Sequence, residues 1–170
     1  KPPLNIDAPT LLDLPSELYP FQIEGVKRLV THQSFLLGDE MGTGKTVQTV
    51  VALRILFRQN KIRHALVLCP PAILGSAYIS QITGKPEGWD GHFHKWAPEL
   101  SVTVVRGNIE QRSRDWTCPA HIYISTYETI RNDFESELLK EKETIKFDCV
   151  VIDEAQNIKN RDSGKAKAVR

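Results

Sequence analysis

The sequence predicts an α/β fold, doubly wound, with a mostly parallel sheet covered by helices on both faces. Two observations carry this reading. Five short runs are apolar along nearly their whole length: "SFLLGD", "HALVLCPP", "SVTVVRG", "AHIYIST" and "FDCVVIDEA". Strands buried on both faces read this way. Between the runs lie stretches with helical spacing or no period, which places crossover helices against a parallel sheet.

In chain order, residues 1–17 are rich in Pro and Leu without a period and read as an extended lead-in; a single lobe follows over 18–170. "LYPFQIEGVKRLV" starts that lobe as a helix. Pro20 suits its first turn, and Phe21, Val26, Leu29 and Val30 share one face. "SFLLGD" is expected to be the first strand. A helix follows Lys45, with Val47, Val50, Val51, Ile55 and Leu56 at apolar spacing. "HALVLCPP" is a strand ended by prolines, and the other three runs complete the set. "TGKPEGWDG" is the most loop-like internal stretch.

Composition bounds the chemistry. The chain has 170 residues, 41% hydrophobic and 25% charged, with a formal net charge of +1. That suits one ordinary domain with a core. A chain so nearly neutral binds nucleic acid only through a local patch. Cys69, Cys118 and Cys149 are unclustered, which argues for a reducing compartment rather than a disulfide framework. No membrane span or signal peptide is evident in the sequence, so a cytoplasmic (nucleoid-associated) or nuclear protein is expected.

Two stretches carry the chemistry. In "LLGDEMGTGKT" a run turns through Gly42 and Gly44, presents Lys45 and Thr46, and continues as a helix. Glycines let backbone N–H groups turn toward phosphate oxygens, and the helix start adds partial positive charge. Lys45 is then expected on the β- and γ-phosphates of ATP and Thr46 on Mg²⁺; Gly42, Thr43 and Gly44 form the cradle. In "CVVIDEAQ" a strand ends in Asp153 and Glu154, at the edge where open α/β sheets bind ligands. Asp153 suits a metal, and Glu154 suits activation of the attacking water.

Asp39 stands where an ordinary phosphate loop has Gly. "GDEMGTGKT" with "DEAQNIKN" resembles the Swi/Snf-type branch of the superfamily-two helicase-like motors, in which DEMGLGKT is usual. Asp39 is that branch's own choice, and Thr43 replaces its common Leu. "LYPFQIEGVKRL" resembles the glutamine motif, which implies Gln22 near the adenine. "LVLCPPAIL", "WDGHFHKWAPEL" and "ISTYETIRND" resemble successive motifs, the last of which lies toward DNA in this family; His92 replaces a usual Glu. The resemblance implies the N-terminal RecA-like lobe of a double-stranded DNA translocase or remodeller, using ATP and Mg²⁺. Gln156 is then expected to sense the γ-phosphate and couple it to a second RecA-like lobe. A strand-separating RNA or DNA helicase of the same superfamily is the alternative within this class. A non-catalytic, nucleotide-dependent scaffold is the alternative outside it.

Two departures accompany the resemblance. Ser76 to Gly88 adds about a dozen residues where the family usually runs straight through, either a surface insertion that loops tolerate at little cost or an added contact to DNA or to a partner domain. The sequence also stops at Arg170, before the family's next strand and second lobe. A lobe truncated before its last strands, with little or no turnover by itself, is therefore expected. Lys159, Arg161, Lys165, Lys167 and Arg170, with Asp162 the only acid among them, suit either a phosphate-tracking patch or a solvated helix face. Arg131 and Asn132 suit either a DNA backbone contact or an exposed helix start. Trp89, Phe93 and Trp96 read as a buried helix face. His92 and His94 lack the further ligands a metal site needs.

Overall fold

The computed structural model describes residues 12–38, 40, 42–75, 88–136 and 145–155. The tail from 156 onward, most of the 76–88 insertion, and Asp39 lie outside the described residues. In chain order the elements are α1 (Pro20–Thr31), α2 (Lys45–Arg58), β1 (Ala65–Leu68), a 3₁₀ turn (Pro71–Ile73), α3 (Trp89–Trp96), β2 (Val102–Val104), α4 (Ile109–Thr117), β3 (Ile122–Ser125), α5 (Tyr127–Glu135) and β4 (Cys149–Ile152). Two compact units result. The first holds the described residues up to Arg63 together with His92–Leu100; the second holds the rest.

The second unit is built on a four-stranded sheet of order β2-β3-β1-β4, parallel throughout. Ala65 of β1 lies level with Ile122 of β3 and Cys149 of β4. β1 and β3 are buried at every position, as interior strands of a parallel sheet require. Their apolar runs satisfy both faces at once. Leu66, Leu68, Val105, Trp116, Tyr123, Tyr127 and Ile130 form one core cluster, with Phe147 and Ile152 packed at its edge. Asn108 caps α4 by accepting from the Gln111 backbone N–H, while Gln111 accepts from the Asn108 N–H; this reciprocal box satisfies two donors of the first turn. Thr126 caps α5 through the Thr129 N–H. The two helices are tied by Asp133, which is fully buried. It accepts from Arg112 Nε at 2.8 Å and from Trp116 Nε1 at 2.8 Å, so its charge is both paired and hydrogen-bonded, as burial demands.

In the first unit α1 packs on α2. Pro20 occupies the first turn of α1, where its missing N–H costs nothing. The helices approach so closely at Gly25 that a Cβ there would lie 1.9 Å from Gln48 Oε1. The buried face of α1 is Gln22, Gly25, Val26 and Val30. Phe21, expected on that face, is 50% exposed instead. The glycine, not the phenylalanine, marks the contact line, because close packing needs a missing side chain there. Trp96 is buried as expected of its face, and so are Phe93 and, in the second unit, Trp89.

The sequence placed a fifth strand at "SFLLGD", and this is corrected. Residues 35–38 are neither helix nor strand, and Leu36 is 79% exposed. An apolar run becomes a strand only where another strand takes up its backbone groups, and residues 35–38 pair with no strand among the described residues. The other four expected strands are present. Residues 13–19 form no helix or strand; residues 1–11 of the expected lead-in lie outside the described residues. Among the described residues no helix is long and apolar enough to cross a membrane.

Candidate functional site

The predicted site residues fall into two sets, the loop residues in the first unit and the strand-end carboxylates in the second.

The loop set surrounds the start of α2. Gly42 and Gly44 take left-handed backbone, φ 83° and 76°, a conformation glycine adopts without steric penalty. Gly44 is the N-cap, and no side chain caps the helix. An uncapped helix start with a glycine turn before it is the local arrangement that accepts an anion. Lys45 follows directly; its Nζ donates to the Glu40 carbonyl at 2.8 Å, and Thr43 Oγ1 donates to the same oxygen at 2.8 Å. That carbonyl therefore holds both the lysine and the loop in place. The Thr46 hydroxyl makes no hydrogen bond with the described residues.

Gln22 has a role that motif reading missed. Its Oε1 accepts from the Tyr19 N–H at 3.0 Å, closing the first turn of α1. Its Nε2 donates to the Thr43 carbonyl at 3.1 Å. One amide thus fastens α1 to the loop. The sequence signal for this was the Gln three residues after Tyr19, a capping position; the contact to Thr43 needs the fold. Nε2 carries a second N–H beyond the one used in this brace.

The carboxylate set lies at the C-terminal end of β4. The Asp153 N–H continues the ladder onto the Leu68 carbonyl at 2.9 Å, which fixes the residue at the sheet edge beside β1. There the strand order reverses, with β2 and β3 on one side of β1 and β4 on the other. Such a switch point opens a crevice at strand ends. Asp153 Oδ2 accepts from Trp89 Nε1 at 2.9 Å, and the Asp153 carbonyl accepts from the Tyr127 hydroxyl. Oδ1 takes no hydrogen bond from the described residues. Glu154 follows with φ 53° and is exposed. A non-glycine residue held there stores strain of the order of 1–3 kcal/mol. The Asp153 charge also acts on its neighbours. Burial, and then Asp153, pushes the Cys69 thiol up to about 12. Burial and the same carboxylate raise the Tyr127 phenol, so both groups stay neutral beside it.

Within its own unit each residue offers a donor type that suits a hard divalent cation such as Mg²⁺: Thr46 a hydroxyl in the first unit and Asp153 a carboxylate oxygen in the second, each without a partner among the described residues. Gln156 and the basic tail lie outside the described residues. Arg131 reaches Glu135 at 4.0 Å and its neighbour Asn132 at 3.3 Å, an exposed helix pairing. His92 is pushed below its ordinary 6.5 by burial and by Lys95. No group of His, Cys, Asp and Glu able to hold a metal ion by itself occurs among the described residues.

Comparison with known proteins agrees with this frame. The chain is 29% identical to the Sulfolobus solfataricus SWI2/SNF2 ATPase core solved in complex with double-stranded DNA, with a TM-score of 0.70 over 92% of this chain and 30% of that one. It is 30% identical to the CHD3-type chromatin-remodeling factor PICKLE of Arabidopsis thaliana, over 86% of this chain and 12% of that protein. It is 31% identical to the ISWI chromatin-remodeling complex ATPase ISW1 of Saccharomyces cerevisiae, over 91% of this chain and 13% of that protein. The chain thus spans a small part of the length of these relatives. Residues 21–170 match the SNF2-related domain, and with the α/β sheet, the glycine loop and the Asp-Glu strand end in place, the chain belongs to the SNF2-related family as an N-terminal, RecA-like lobe.

Proposed function

We propose that this chain binds and hydrolyses ATP as the first lobe of a motor that moves along double-stranded DNA. The observation that carries the reading is the loop: an uncapped α2 start behind left-handed Gly44, with Lys45 next and the Thr46 hydroxyl without a partner among the described residues. Gly42, Thr43, Gly44, Lys45 and Thr46 hold the phosphates through backbone N–H groups and the lysine charge. Gln22 keeps the loop braced and offers its remaining N–H toward the adenine. Thr46 and Asp153 are the residues that would hold Mg²⁺, which when bound neutralises charge on the phosphate oxygens. Glu154 orients the attacking water and takes its proton. Gln156 reports the γ-phosphate to a second RecA-like lobe, which supplies the arginines that stabilise the transferring group; such an arginine is worth about 10³–10⁵ in rate. The double-stranded DNA in the Sulfolobus structure is the basis for proposing duplex DNA as the track.

The test is ATP hydrolysis by the full-length protein with duplex DNA, single-stranded DNA or RNA added. Stimulation mainly by duplex DNA is expected. Stimulation mainly by single strands or RNA would favour a strand-separating helicase, and none by any polymer would favour a nucleotide-dependent scaffold. Lys45→Ala should abolish hydrolysis. Glu154→Gln should retain ATP binding and lose at least a hundredfold in turnover, since a positioned base is worth about 10²–10⁴. Wild-type turnover in either variant would refute the assigned roles.

A further inference from the structure

Asp153 sits one residue beyond its strand, where a side chain has few neighbours to fix its rotamer. Two aromatic residues do so here, from two other elements. Trp89 opens α3 and is 2% exposed; its Nε1–H reaches Oδ2 at 2.9 Å. Tyr127 opens α5, directly after the Thr126 cap that follows β3, and its hydroxyl donates to the Asp153 carbonyl. One contact holds the side chain and the other holds the peptide that leads into Glu154.

The position of Trp89 is itself built by close backbone approach. Gly88 precedes it with φ 121°, and a Cβ there would lie 2.8 Å from the Gly75 Cα. Gly75, φ 118°, would meet Asp90 Oδ1 at 2.0 Å if it carried a Cβ. Two glycines therefore bring the loop after β1 against the start of α3, and the indole is seated by that contact.

We propose that Trp89 and Tyr127 are positioning residues for Asp153, setting its free oxygen Oδ1 and the Asp153–Glu154 corner before any ligand arrives. The inference rests on the reading of Asp153 as the metal-holding carboxylate. A donor to one carboxylate oxygen leaves the other as the open ligand and fixes its direction, the general way a partner behind a ligand tunes a metal site. Plain packing would keep the ring and would not need the N–H or the hydroxyl.

The experiment is binding of a fluorescent ATP analogue to the full-length protein, titrated with Mg²⁺. In Trp89→Phe the Mg²⁺ midpoint should rise about tenfold, the lower end of what losing such a partner costs in metal affinity. Affinity measured in EDTA should be unchanged. Tyr127→Phe, which removes one oxygen, should shift the midpoint in the same direction, and it carries the test alone if Trp89→Phe does not fold. In an Asp153→Asn background neither change should move the midpoint further, whereas general loosening of the fold would act there too. Wild-type binding with unchanged midpoints in both variants would overturn the positioning role alone. Wild-type protein that binds no nucleotide at any Mg²⁺ concentration would overturn the proposed function itself.

Discussion

At the residue scale, Gly42 and Gly44 both hold left-handed backbone, yet their surroundings differ. Among the described residues nothing lies within 4 Å of a Cβ built on Gly42, while one built on Gly44 would meet Gln22 Nε2 at 2.6 Å. Gly42→Ala should therefore cost only conformational strain, about 1–2 kcal/mol. Gly44→Ala carries the same strain and also displaces the amide that holds the Thr43 carbonyl. Nucleotide affinity should fall further for Gly44→Ala than for Gly42→Ala, read by titration with ATP; equal losses would mean that the Gln22 brace does not matter. This shows what was legible at this scale. Gly42, Gly44, Lys45 and Thr46 were readable because their chemistry is local, a turn and a helix start. The Gln22–Thr43 contact spans 21 positions, and the Trp89–Asp153 contact spans 64. Neither spacing follows from any period along the chain.

At the element scale, the last turns of α2 are anchored to the final residue of α3 and to Glu99 beyond it. Arg54, 3% exposed, donates to Glu99 Oε1 at 2.8 Å and to the Trp96 carbonyl at 3.0 Å, and Arg58 donates to the same carboxylate oxygen at 2.8 Å. Burial alone would raise the Glu99 carboxyl. The Arg54 hydrogen bond, a backbone hydrogen bond and the two guanidinium charges more than offset it, and the group lies below its ordinary 4.5. A depressed carboxylate contributes stability above its unfolded value and loses it as pH falls through the folded one. Glu99→Gln should therefore lower Tm at neutral pH, and the gap from wild type should close as pH drops below 4.5. A gap of constant size down to the lowest pH at which both proteins still melt would show that charge is not what Glu99 contributes. Elements themselves were legible where burial is two-sided. The runs that became β1 and β3 are apolar because both faces are covered. "SFLLGD" also carries an apolar run, yet residues 35–38 form no strand, since pairing depends on a neighbour that a local window does not contain.

At the scale of the whole sheet, order matters more than the strands' composition. β1 and β3 each have two neighbours, while β2 and β4 have one. Spacing along the sequence indicated a parallel sheet but not the order β2-β3-β1-β4, because order is set by crossovers between distant segments. Only with β4 placed beside β1 does Asp153 reach the reversal point, the place where open α/β sheets bind ligands. That placement also leaves β4 as an edge among the described residues, and Val150 on it is 40% exposed. An edge strand with an exposed β-branched residue is a template for association with another chain, and a lysine there opposes it by charge and solvation. Val150→Lys should leave the unfolding free energy within about 0.5 kcal/mol of wild type, as surface changes usually do. It should also reduce concentration-dependent association of residues 1–170, read by light scattering. Association that is unaffected by the lysine would place the sticky surface elsewhere. A large loss of stability would mean that Val150 is covered in solution and that the β4 edge is not open.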